Sequence, residues 1–150
     1  MPALTGREIR LARRPAGVPE PDDFELATTE VAGPADGEIQ VRNLWMSVDP
    51  YMRGRMRELK SYIGPFALGE VLEGECLGEV VASRHPDFAA GDVVHSMHGW
   101  REAWVGPPEG VTTVDPDLAP LPAYLGVMGM TGFTAYVGLL DIAALQPGET

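Results

Sequence analysis

Residues 71–83, VLEGECLGEVVAS, and residues 92–98, DVVHSMH, are two β-rich runs, with Gly91-Asp92 making the turn between them. The same texture extends outward. Glu8–Arg13 sets Ile9 and Leu11 on one face and reads as a first strand. Phe24–Val31 and Glu38–Met46 alternate through Phe24 and Leu26 and through Ile39 and Val41, with a Gly33-Pro34-Ala35-Asp36-Gly37 turn between them. Glu102–Val105 and the short run Val111–Val114, after the Pro107–Gly110 turn, bring the expected total to six to eight short strands. Pro15–Asp23 is a connector, and Tyr51–Leu59 lacks alternation and reads as a helical turn or structured loop. Beyond Leu118 the period changes. Phe133, Tyr136, Val137, Leu140 and Ala144 recur at spacings of three and four, which predicts a helix over Met130–Leu145 with one apolar face. The fold class expected is mainly β with one or two helices. The closing Pro147-Gly148 turn delivers no further strand, so the sequence reads as part of a longer chain.

Composition agrees. Eighteen glycines and fourteen prolines in 150 residues suit short strands joined by many turns rather than a helical bundle. No stretch approaches the ~18 apolar residues of a membrane span. The N-terminal MPALTGREIRLARRP has no apolar core, so it is no secretory signal, and Glu8 with few serines counts against a transit peptide. A cytoplasmic, soluble protein is expected. The net charge is −11, with small positive excesses over residues 1–14 and 53–60 and an acidic surplus elsewhere. Such a balance repels a phosphate backbone and makes nucleic acid an improbable partner. The basic run Arg53, Arg55, Arg57 and Lys60 reads as a solvated turn or as a place for an anion. Cys76 is the single cysteine, which rules out an internal disulfide and any multi-cysteine zinc site.

Four segments resemble the medium-chain dehydrogenase/reductase superfamily, and within it the zinc-independent branch of alkenal/one oxidoreductases and prostaglandin reductases. Ser47–Met56 (SVDPYMRGRM) is similar to that branch's DPYMR loop, and Glu73–Val81 occupies the place of the superfamily's glycine-histidine-glutamate segment. Gly91–Val94 resembles its GDxV turn, and Leu125–Tyr136 its interdomain segment ending in Thr-Ala-Tyr. The resemblance implies a GroES-like, partly open barrel over residues 1–130, then an interdomain helix over 131–150 leading to a Rossmann domain outside this sequence. It implies hydride transfer from NADPH to the β-carbon of an α,β-unsaturated aldehyde or ketone, possible homodimerisation, and a main tyrosine donor in the cofactor domain. Zinc relatives carry a cysteine and a histidine where this chain has Val48-Asp49 and Gly74-Glu75, so no metal is expected. A zinc-type alcohol dehydrogenase relative is thereby disfavoured. A GroES-like binding module without catalysis fits the barrel equally well.

The resemblance makes Tyr51 the catalytic candidate, as a second hydrogen-bond donor to the substrate carbonyl or a pocket wall; its alternative is a packed ring. Met97 and His98 stand where relatives contact substrate, though a histidine at a strand end is commonly just solvent-exposed. Arg53 faces either a ligand anion or an ion pair with Asp49 or a neighbouring acid. Trp100 and Trp104 read as core or interface aromatics. Cys76 with His85, His95 and His98 matches no ligand spacing. Gly126-Val127-Met128-Gly129 lacks a phosphate-loop continuation. Its expected role is to let backbone pass close to a nicotinamide ring, with Met130 and Thr134 lining the cofactor side.

Overall fold

The alternating segments pair as two antiparallel sheets in this computed structural model, which describes residues 3–59 and 61–149. Lys60 of the basic run lies outside the described residues. The first sheet joins β1 (Leu4–Leu11) to β2 (Phe24–Val31), in register from Leu4 opposite Val31 to Leu11 opposite Phe24. The second has the order β6-β3-β4-β5-β7, from β3 (Ile39–Met46), β4 (Cys76–Ser83), β5 (Val93–Ser96), β6 (Ala103–Gly106) and β7 (Thr112–Thr113). Both sheets are open, and the mainly β class expected from the sequence is the one observed. The first strand starts four residues earlier than its alternation suggested, because pairing with β2 extends it back to Leu4. The run 71–83 becomes strand only from Cys76; before it, Val71 and Gly74 make single bridges to Arg10 and His98.

Two apolar clusters anchor the sheets. Ile39, Val41, Val80, Val94, Trp104 and Val111 pack between strands of the larger sheet. Leu11, Met52, Met56, Phe66 and Leu72 form the second cluster, with Ile9, Phe24, Tyr51 and Trp100 against it. Each fully buried Leu, Val or Ile contributes about 1.5–3 kcal/mol. Trp104 is thus core, and Trp100 flanks the cluster that carries α1 (Pro50–Arg55). Gly78 on β4 stands opposite Asn43 of β3 with no room for a side chain. A Cβ there would stand 2.5 Å from Val41 Cγ1 and 2.8 Å from the Arg42 carbonyl.

The connector between β1 and β2 ends in a 3-10 turn, Pro21–Asp23. The buried Asp23 carboxylate accepts from the Glu20 N–H at 2.8 Å and from Arg13 Nε at 2.6 Å. The Arg13 guanidinium, then the Glu20 amide, hold this carboxyl below the usual aspartate range.

The chain divides into two compact units, Met1–Val114 and Asp115–Thr150. In the second, a 3-10 segment Leu121–Leu125 leads to α2 (Met130–Tyr136), which runs on as wider π-helical turns through Val137–Ile142. The single amphipathic α-helix expected over 130–145 is therefore shorter. The π turns break the 3.6-residue period, and Ala144 turns to φ +51°. Phe133, Tyr136, Leu139, Leu140 and Ile142 are all exposed. No helix among the described residues is long and apolar enough to cross a membrane.

Two substitutions test these supports. Asp23→Asn should lower the urea midpoint at pH 7. Because the folded carboxyl titrates below its unfolded value, the difference from wild type should close as the pH falls through the acidic range. A gap independent of pH would exclude the ion pair as its cause. Gly78→Ala should destabilise the protein by about 1–3 kcal/mol through overpacking against β3. An unchanged melting temperature would show that β3 yields freely.

Candidate active site

Pro50 opens α1 at the position where a missing N–H costs nothing. Asp49 precedes it in extended conformation, and its carboxylate accepts the Ser47 hydroxyl at 2.6 Å. The helix buries Met52 and Arg55 and lays the Tyr51 ring against the second apolar cluster. Tyr51 Oη is buried and has no hydrogen-bond partner within the chain. Burial, and then the Asp49 charge, push this phenol above its ordinary pKa, so it is held as a protonated donor. The indole Nε1 atoms of Trp100 and Trp104 are likewise buried and unpartnered. Unpaired buried donors are costly, so an acceptor that reached the Tyr51 hydroxyl would be favoured.

The neighbouring arginines depart from expectation. Among the described residues Arg53 forms no ion pair. Its Nη2 donates to the carbonyls of Gly17 and Pro15, because the connector runs directly beside it. Arg55 pairs with Glu73 at 2.7 Å, donates to the Gly64 carbonyl at 2.9 Å and lies 4.0 Å over the Phe66 ring.

Met97 and His98 follow β5 on a tight loop, residues 97–101. Gly74 N–H donates to the Met97 carbonyl at 3.1 Å, and Gly99 N–H returns to the Gly74 carbonyl at 3.0 Å. Asn43 Nδ2 donates to the carbonyls of His98 at 2.7 Å and Arg101 at 2.8 Å. Trp100 adopts φ +59°, a left-handed conformation that costs about 1–3 kcal/mol for a bulky residue and concentrates at functional sites. Met97 is exposed. His98 is half-buried and stacked on Trp104, with ring centroids 4.2 Å apart, rather than free in solvent at the strand end. Burial, then the Arg101 charge, lower its pKa, so the imidazole is neutral at pH 7.

One cavity of about 420 Å³ is lined by Arg55, Phe66, Val71, Glu73, His98 and Arg101. Asn43 and Arg101 were not singled out by sequence reasoning. Asn43 breaks an otherwise apolar alternation, which was a usable signal; Arg101 gave none.

No three His, Cys, Asp or Glu side chains among the described residues are gathered closely enough to hold a metal ion. The Cys76 thiol sits 3.2 Å from Ser96 Oγ, and burial pushes its pKa up, away from the thiolate a metal requires. The second unit carries Met130 and Thr134. Met130 is exposed, and Thr134 Oγ1 donates to the Met130 carbonyl at 2.7 Å. A Cβ on Gly129 or Gly132 would collide with the carbonyls of Tyr124 or Val127. At Gly129 and Gly132 the chain's own backbone thus occupies the space a side chain would need.

Comparison with known proteins agrees with the geometry. The family described as the N-terminal domain of oxidoreductase matches residues 7–114. The NADPH-dependent curcumin reductase of Escherichia coli is 43% identical over 141 residues, covering 93% of this chain and 41% of that protein. The NADP(+)-dependent 2-alkenal reductase of Nicotiana tabacum is 34% identical over 152 residues, 98% of this chain and 44% of the relative. The crystal structure of CurA from Vibrio vulnificus in complex with NADPH superposes with a TM-score of 0.86 at 42% identity, covering 95% of this chain and 42% of that one. The chain thus spans about two-fifths of the length of these relatives. It belongs to the N-terminal domain family of oxidoreductases, in the zinc-independent medium-chain branch that holds the curcumin and alkenal reductases.

Proposed function

We propose that this chain is the substrate-binding part of an NADPH-dependent reductase of the carbon–carbon double bond of α,β-unsaturated aldehydes or ketones. The observation that carries the reading is the buried Tyr51 hydroxyl, without a hydrogen-bond partner among the described residues, on a short helix. Reduction at the β-carbon gathers negative charge on the carbonyl oxygen as an enolate, and a preorganised donor stabilises that charge. NADPH, when bound, supplies the hydride; its phosphates are held by residues beyond this sequence. Within the chain, Tyr51 donates to the carbonyl oxygen, while Met97 and His98 wall the substrate. Met130 and Thr134 line the cofactor side, and residues 131–150 lead into the cofactor domain. The exposed apolar face at Phe133, Tyr136 and Leu140 is what an adjoining domain would cover. Residues 1–130 form the catalytic domain in this reading. In the same reading the protein is cytoplasmic, metal-free and without nucleic-acid partners, and its full-length form can associate as a homodimer.

In the full-length protein, Tyr51→Phe should lower kcat/KM by about tenfold at unchanged melting temperature, the value of one hydrogen bond to a developing charge. A loss within a few-fold would reduce Tyr51 to a pocket wall. Intact kinetics with a lowered melting temperature would make it a core residue. The 150-residue chain by itself should show no NADPH-dependent enone turnover, since in this reading the cofactor domain holds the nicotinamide at the ~3–3.5 Å that hydride transfer needs. Measurable turnover by this chain would refute the division of labour between two domains.

A further inference from the structure

Arg55 follows Tyr51 by one helical turn on α1, so the two side chains share a face of the helix. Arg55 is buried, and its guanidinium is held on three sides. Nε donates to the Gly64 carbonyl, Nη2 donates to Glu73, and the charged plane lies over the Phe66 ring. The Phe66 N–H returns to the Arg55 carbonyl at 2.7 Å, so main chain and side chain together pin the last turn of α1. Phe66 and the Tyr51 ring pack in the same apolar cluster. The Arg55 charge is only partly neutralised. Nη1 is buried without a hydrogen-bond partner among the described residues, and the Glu73 side chain is half-exposed and shared with water. Such a charge acts on its neighbours over several ångströms where water is scarce. Four charged or titratable groups act on the Tyr51 phenol: Asp49 ahead of α1, Glu75 ahead of β4, Tyr62 in the loop after α1, and Arg55. Of these, Arg55 alone favours the ionised form; the other three act with burial against it.

We propose that Arg55 is the positioning residue of the Tyr51 donor: it fixes the turn that carries the phenol and sets a positive charge beside it, so that the hydroxyl donates more strongly to the developing enolate. The inference rests on the enone-reductase reading and adds to it a residue that acts through Tyr51. A stronger donor matters most when charge has gathered on the carbonyl oxygen, so the effect belongs to the transition state rather than to substrate binding.

The test is a double-mutant cycle in the full-length protein with NADPH and a small neutral enone, comparing Arg55→Gln, Tyr51→Phe and the pair. Arg55→Gln should lower kcat and kcat/KM together by about three- to tenfold, no more than the loss of the hydroxyl itself. In the Tyr51→Phe background the same substitution should cost less than about twofold, because the group it acts through is gone. A merely structural arginine would cost the same factor in both backgrounds. That result, or Arg55→Gln kinetics equal to wild type, overturns the proposal. Arg55→Lys keeps the charge and should retain more of the rate than Arg55→Gln; equal losses in the two would also overturn it. Should Arg55→Gln fail to fold, Arg55→Lys carries the cycle on the same criterion. The second arm needs no turnover. In protein labelled with fluorotyrosine, the Tyr51 signal is identified in the fluorine NMR spectrum by its loss in Tyr51→Phe. Its titration should move to higher pH in Arg55→Gln, since the one cation that favours the phenolate has been removed. An unmoved titration refutes the electrostatic link. If the wild type reduces no enone, the reductase reading fails, and the fluorine titration alone decides whether Arg55 governs Tyr51.

Discussion

The Asn43 amide bridges the carbonyls of His98 and Arg101, and the loop that carries both side chains takes its shape from that bridge. Asn43 stands on β3, whose other neighbour is β4, so the loop is referred directly to the middle of the five-stranded sheet. The cross-links between Gly74 and the loop tie the same segment to the approach to β4. With both sides fixed, Trp100 tolerates a left-handed backbone and places its ring over the cluster on which α1 rests. Helix, loop and sheet are thus tied together through Asn43, Gly74 and the Trp100 ring.

Electrostatics follow a second pattern. The acidic excess leaves few cations to spare, and most of them are spent internally. Arg7 meets Glu102, Arg10 meets Glu8, Arg13 meets Asp23 and Arg84 meets Asp36. Exposed pairs of this kind contribute little to stability, but they neutralise positive charge that would otherwise face solvent. The basic run after Asp49 disappears as a patch for the same reason, since Arg53 is taken by carbonyls and Arg55 by Glu73. Arg101, like Arg53, donates to backbone carbonyls, those of Gly99 and Leu72.

The sheets were legible because period-two alternation and turn residues are local signals. β2 agrees residue for residue with its expected span, and β3 to within one position. Strand ends were less legible wherever the partner decides them, as at Leu4 and Cys76. The helix after Gly129 was misjudged in length, because the widening to π turns leaves no mark in an apolar pattern. The neighbourhood of Tyr51 was readable through the DPYMR resemblance alone; spacing says nothing of a hydroxyl without a partner. Arg53 shows the limit from the other side. A connector more than thirty positions earlier in the sequence claims it, and no local pattern reveals such a meeting. Asn43 and Arg101 act across the sheet for the same reason.

The stacking of His98 on Trp104 gives the protein an optical property as well as a packing contact. An indole pressed against a neutral imidazole emits freely, whereas an imidazolium in van der Waals contact drains its excited state. Trp104 lies in the core and His98 at the cavity wall, so the brightness of one buried chromophore reports the charge of the group beside it. The fold therefore carries an internal light meter, wired to its own interior and needing no label.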